Sequence, residues 1–166
     1  MALRDDLDLK LQTLHSSGQT LPASVQASDG GLTLRIEVTA IDTLSCAFSE
    51  LVLFVPQLQN AQFDVVKQWA TDLSKRITYL LENIGPLEFD PTAGEVLIRS
   101  TPPSQLPNGS QYYEIVLSSS GTGSFVLKRF KSIAGQPGRV GCDIQLTREV
   151  LLRLVDDLLA TLPSTP

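Results

Sequence analysis

The sequence predicts an α+β domain with a mainly antiparallel sheet, and three observations carry that prediction. Apolar residues alternate with polar ones in two separate blocks punctuated by turn signals, a sustained helical stripe lies between the blocks, and a second stripe closes the chain. The expected order is helix, strands, helix, strands, helix, within a single globular domain over residues 1–162 and a short tail at 163–166. A chain of 166 residues can bury roughly 70% of its extended surface in one core without help from metal or disulfides.

Taken in order, Leu3, Leu7, Leu11 and Leu14 recur at helical spacing, and Gly18 is placed to end that first helix. A strand is expected over residues 23–27, followed by Asp29-Gly30, a dipeptide suited to a tight hairpin because both positions tolerate positive φ. Leu32, Leu34, Ile36 and Val38 then alternate with Thr33, Arg35 and Glu37, the pattern of a strand with one wet face. The third strand runs through Leu44, Cys46 and Phe48 into the continuous apolar run LVLFV, residues 51–55, which should be covered on both faces.

The long central helix is expected over about residues 60–84. Phe63, Val66, Ala70, Leu73, Ile77, Leu80 and Ile84 fall at steps of three and four, with Asp64, Lys67, Asp72, Lys75 and Arg76 on the other side. Gly85-Pro86 is its stop signal, and Val65 with Trp69 forms a second, narrower stripe. Strands are expected over residues 86–89, 95–100, 111–118, 124–131 and 140–145, with an exposed loop at TPPSQLPNGS, residues 101–110. Thr147 should cap a C-terminal helix over about residues 147–162, with Val150, Leu151, Leu154, Leu158 and Leu162 as its stripe and Glu149 paired to Arg153.

The stretch SSGTGSFVLKRFK, residues 119–131, is the one segment that looks built for chemistry. Its glycine spacing resembles the start of the protein-kinase glycine loop, but Val126 stands where the third glycine belongs, and no catalytic-loop or metal-binding signature accompanies it. A hairpin accounts for it better. Placing Ser118 opposite Ser124 pairs Leu117 with Phe125, Ile115 with Leu127 and Tyr113 with Arg129 on one face, and Val116 with Val126, Glu114 with Lys128 and Tyr112 with Phe130 on the other. A slip of one residue would set one strand's alternation against the other's. Lys128 is expected to find its charge partner in Glu114.

Composition narrows function mainly by exclusion. A net charge of -5 disfavours general nucleic-acid or anionic-membrane binding, leaving the region 128–139 as a weak nucleic-acid candidate. The start MALRDDLDLK carries acids where a secretory signal needs a basic segment before an apolar run, so a cytoplasmic location with no membrane association is expected. Cys46 and Cys142 suit free thiols in a reducing compartment. One histidine, His15, and two separated cysteines supply neither a zinc site nor a nucleophile-base pair, and Asp5, Asp6, Asp8, Asp156 and Asp157 read as solvated helix faces. No catalytic, cofactor or metal residues are assigned.

Apolar residues outside the expected core form the candidate interaction surface: Tyr112, Val116, Val126 and Phe130 on the second sheet face, with Trp69 and Val65 from the long helix, rimmed by Arg129, Lys131 and Arg139. The expected function is a non-enzymatic protein-interaction module, adaptor or chaperone-like, acting by association as a homodimer or on a protein or peptide partner. In element order and acidity the chain resembles the small acidic chaperones of type III secretion, a resemblance of topology that no motif carries. The alternative is a small-molecule-binding or catalytic domain with a pocket between the long helix and the sheet.

Overall fold

In the computed structural model, residues 2–81, 84, 87–100, 104–121 and 123–163 are described. Among them the period-two runs pair into one antiparallel sheet, joined along the path β1-β2-β3-β8-β7-β5-β4. The first three strands are β1 (Ala23–Asp29), β2 (Leu32–Ile41) and β3 (Ser45–Phe54); later come β4 (Glu88–Asp90), β5 (Glu95–Arg99), β6 (Ser104–Leu106), β7 (Gly109–Ser118), β8 (Ser124–Ile133), β9 (Val140–Cys142) and β10 (Ile144–Thr147). The helices are α1 (Leu3–Ser17), α2 (Phe63–Arg76), α3 (Thr78–Leu81) and α4 (Arg148–Thr161). This is the α+β class with an antiparallel sheet that the patterning predicts.

Alternation explains why one face of the sheet takes all the helices. Cross-strand partners Val25, Ile36, Leu51, Leu127, Ile115 and Ile98 form a continuous apolar row across six strands, and all six side chains are buried. Alpha-helices α1 and α2 lie over opposite ends of the sheet, against β1 and β5, and α4 packs on β10 and between the other two. Each fully buried side chain in such a row contributes about 1.5–3 kcal/mol of transfer free energy. On the α2 side, Trp69 is 1% exposed; its ring centroid lies 6.5 Å from that of Phe125, and its Nε1 donates to Thr161 Oγ1 at 3.1 Å. That bond ties α2 to the last turn of α4 and satisfies an indole donor that burial would otherwise strand.

The hairpin register is the one expected, from Ser118 opposite Ser124 outward to Tyr112 opposite Phe130. Its glycines have steric reasons: Gly123 has φ 77°, and an added Cβ would lie 2.6 Å from the Val55 carbonyl oxygen. Thr147 caps α4 as expected, accepting the Val150 N–H at 3.2 Å.

Other boundaries differ from expectation, each for a physical reason. The first hairpin turns at Gly30-Gly31, φ 55° and 88°, with Asp29 still paired to Leu32, because two glycines supply positive φ at both turn positions. The expected continuous helix of 60–84 begins at Phe63, after Asn60 at φ 62°, and breaks at Ile77, φ -98° and ψ 23°. The β-branched pair Ile77-Thr78 weakens the helix there, yet Ile77 and Leu80 stay buried, so the stripe specifies the buried face across the break. Its stop signal, Gly85-Pro86, lies outside the described residues.

The expected loop at 101–110 contains a strand, β6, which turns at Pro107-Asn108 to pair with β7; residues 101–103 lie outside the described set. The expected strand 140–145 is two strands, because the chain changes partner at Asp143: β9 pairs with β8 and β10 with β3. Arg153 lies 4.0 Å over the Tyr79 ring instead of pairing with Glu149. Asp157 is no solvated acid: it accepts from the Tyr79 hydroxyl at 2.7 Å and pairs with Arg76 at 3.5 Å.

Three measurements check this packing. Leu51→Ala, at the centre of the buried row, should cost about 2–5 kcal/mol and lower the urea midpoint with the m-value unchanged. Thr161→Val should cost about 1–3 kcal/mol by stranding the Trp69 donor, with a shift in the fluorescence of the single tryptophan. Asp6 accepts the Ser28 N–H at 3.0 Å, and this bond, aided by Lys10, holds its carboxyl below the ordinary 3.8. A lowered folded-state pKa gives stability that is present above that ordinary value and lost as pH falls through the folded one. Thermal unfolding between about pH 2 and about pH 5 should therefore show a smaller acid-dependent loss in Asp6→Asn than in the native chain.

Candidate functional site

Among the described residues, the opposite face of the sheet carries no helix. On β7 and β8 the residues that alternate away from the core are Tyr112, Glu114, Val116 and Ser118, paired with Phe130, Lys128, Val126 and Ser124. Val52 and Leu97 extend the valine pair into a row, Val52-Val126-Val116-Leu97, across four strands. Tyr112, Val116, Val126 and Phe130 are all half-buried on this face, as the alternation requires. The structure therefore brings four of the six candidate surface residues together.

The other two lie elsewhere. Trp69 belongs to the core on the helix side, and Val65 is half-buried against that core. Their stripe on α2 read as a second surface because the sequence cannot show that α4 packs against α2 and closes over it. Of the expected basic rim, only Arg139 reaches the face. Arg129 is the cross-strand partner of Tyr113 and stacks over that ring at 4.9 Å on the side of the sheet toward the helices.

A row of charges divides the apolar residues into two patches. Arg35 pairs with Glu37 and Glu50, both at 3.3 Å, and Lys128 pairs with Glu50 at 3.2 Å. Beside this network, Arg99 pairs with Glu88 at 3.4 Å and Glu114 at 3.3 Å, and Arg139 reaches Glu114 at 2.7 Å. Lys128 and Glu114 are cross-strand partners, but the ion pair expected between them gives way: each finds a closer partner on its own side. Two of the four cations of the region 128–139, Lys128 and Arg139, are thus paired with acids within the chain, which weakens its candidacy for nucleic acid.

Glu114 is the centre of the site, with its side chain only 9% exposed. Arg139 meets it with both guanidinium nitrogens, Nη1 to Oε1 at 2.7 Å and Nη2 to Oε2 at 3.3 Å, and Nη1 also donates to the Tyr112 hydroxyl at 3.0 Å. The same guanidinium lies 3.8 Å from the Phe130 ring centroid, while the rings of Tyr112 and Phe130 stand 6.0 Å apart. Hydrogen bonds that Arg139 donates, to Glu114 first and then to Tyr112, raise its pKa further above the ordinary value. The sequence analysis missed Glu114 and Arg99 as site residues; the visible signal was an acid at the centre of an aromatic-rich strand.

Among the described residues, the space between α2 and the sheet holds packed side chains. Between α2 and the sheet stand Val66, Trp69, Ala70 and Leu73, none more than 1% exposed. A cleft of about 500 Å³ lies between α2 and α4, lined by Gln68, Asp72, Lys75 and Arg76 beside the edge of Trp69. Burial pushes the Cys46 thiol up to about 11, so it is not a thiolate nucleophile at neutral pH, and both cysteines are free. Among the described residues no group of three or more His, Cys, Asp and Glu is placed to hold a metal ion, and no helix is long and apolar enough to cross a membrane. No protein family matches the chain, and no curated protein or solved structure matches it.

The ion-pair assignment has a direct check. Glu114→Lys should cost roughly 1–3 kcal/mol by removing charged hydrogen bonds from two arginines. Lys128→Glu alone should cost no more than about 1 kcal/mol, and adding it to Glu114→Lys should restore none of the loss, because Lys128 pairs with Glu50. Denaturant unfolding of the two single variants and the double variant measures all three.

Proposed function

We propose that this chain is a non-enzymatic protein-interaction module, of the adaptor or chaperone-like kind, that acts by association through the helix-free face of its sheet. One observation carries the reading: Tyr112, Phe130, Val116, Val126 and Leu97 stand on a face that no helix covers. A sheet face that serves only to meet water is normally polar, and an uncovered apolar cluster rimmed by charges is the usual form of an association site. The paired acids and bases that run between the two apolar patches would set orientation, while the apolar row and the aromatic pair supply affinity.

The homodimer is the simplest form of this reading, with a second copy laid on the same face. Light scattering at tens of micromolar should give twice the chain mass, and Val126→Glu should return it to the monomer mass at a stability cost of about 1 kcal/mol or less. A native chain that stays monomeric removes the homodimer and leaves a different protein as the occupant. Unchanged capture of partners by Val126→Glu and Tyr112→Ala would remove the face itself from the proposal.

A further inference from the structure

Glu114 has two arginine partners, and they are held very differently. Arg99 projects from the last residue of β5, held in the ladder opposite Glu114, and is shared with Glu88. Arg139 comes from the connection between β8 and β9, where residues 134–139 are all exposed and the backbone turns at Gly135 and Gly138, φ 83° and 77°. The two side chains are similarly exposed, yet Arg139 makes the shorter contact with Glu114 and is the one that lies over the Phe130 ring. The less firmly tethered arginine occupies the better-shaped position.

That position has the parts that recognise a guanidinium group: a carboxylate meeting two of its nitrogens, a phenol oxygen accepting from one of them, and an aromatic ring beneath its plane. We propose that Glu114, Tyr112 and Phe130 form a guanidinium-binding site for an arginine side chain of another protein, and that Arg139 fills the site from within the chain until that partner displaces it. This rests on the reading of the open sheet face as a docking surface and names what docks there. Exchange of one arginine for another leaves the charge around Glu114 unchanged, so the buried carboxylate never goes unpaired. The displaced Arg139 returns to water on an exposed turn. A lysine is a poor substitute, because its ammonium neither meets a carboxylate in a planar fork nor stacks flat on a ring.

The tether sets the terms of the competition. A side chain on a short connection acts at an effective concentration on the order of mM, so a lone arginine competes weakly. An arginine delivered beside apolar residues that reach Val116 and Val126 would overcome it. Occupied sites also weaken apparent affinity in proportion to the fraction left open, so removal of Arg139 should strengthen binding at least about tenfold.

The test uses Arg139→Ala and Arg139→Lys, with N-acetyl-arginine amide as the probe and N-acetyl-lysine amide as the comparator, read from the ring-proton resonances of Tyr112 and Phe130. The expected result is saturable binding of the arginine probe to Arg139→Ala, with native protein and the lysine comparator each at least about tenfold weaker. Arg139→Lys, which keeps a cation on the connection, should also bind the arginine probe more tightly than native protein, and it carries the test if Arg139→Ala fails to fold. No saturable ring shifts in either folded variant, or equal response to arginine and lysine, overturns the site. Self-association at least about tenfold tighter in Arg139→Ala than in native protein overturns the assignment to another protein by showing that a second copy supplies the arginine. Failure of the arginine site leaves the Val126→Glu mass result standing, so the two readings fall separately.

Discussion

The fold depends on one seam, the antiparallel pairing of β3 with β8. After α1, residues 23–54 form one three-strand meander, and most later strands are built around the β7-β8 hairpin; four pairs, Leu51 to Leu127 through Phe54 to Ser124, join β3 to β8. The seam is short because the strands separate beyond it. There the chain inserts β9 against β8 and β10 against β3, so the exposed strand edges produced by the separation are both paired. Asp143, between the two, is fixed by the Thr39 hydroxyl at 2.8 Å. The seam also carries both chemistries of the sheet at once: Leu51 and Leu127 meet in the core, and Val52 and Val126 meet on the open face.

Because the seam is short, the helices have structural work beyond covering a core. Helix α1 packs on the first meander and α2 on the second, and α4 touches both, so burial of Leu151, Leu154, Val155 and Leu158 links the two halves independently of strand pairing. The polar bonds fall at the same junctions. Trp69 bonds Thr161, and Tyr79 bonds Asp157, each joining the central helical segment to α4. A sheet held this way from one side leaves its other side free of structural duty, which is why the open face can carry its own arrangement of residues.

What was legible in the sequence is what alternation encodes. The register of residues 112–118 against 124–130 could be read directly, since a slip would have put Glu114 or Lys128 against the core. The buried face of α1 was equally plain from four leucines. What periodicity cannot encode is which element covers which. Trp69 and Val65 have the spacing of a surface stripe, and it is packing against Phe125 of the sheet and the last turn of α4 that makes Trp69 a core residue. Charge partners are hidden for a related reason: adjacency in a ladder places Lys128 beside Glu114, but long side chains choose among all cations and anions in reach, and Glu50 and Arg139 come from other strands or loops.

Glu114 is the position where stability and function part. A carboxylate buried on a sheet costs several kcal/mol in desolvation before its partners repay it, and an apolar residue between Tyr112 and Val116 would have continued the patch without that cost. The surrounding residues are arranged to repay it: two arginines converge on one side chain, from β5 and the β8-β9 connection, and the Tyr112 hydroxyl on β7 accepts from the second of them. Such convergence adds little net stability compared with a valine, but it gives the open face a fixed negative centre between two apolar patches. On the proposed reading of the face as a docking surface, a surface so divided would discriminate by charge as well as shape, because a partner that displaced Arg139 without supplying a cation would leave Glu114 short of its closest partner. The acid would then restrict the face to partners that bring, or leave in place, a guanidinium group.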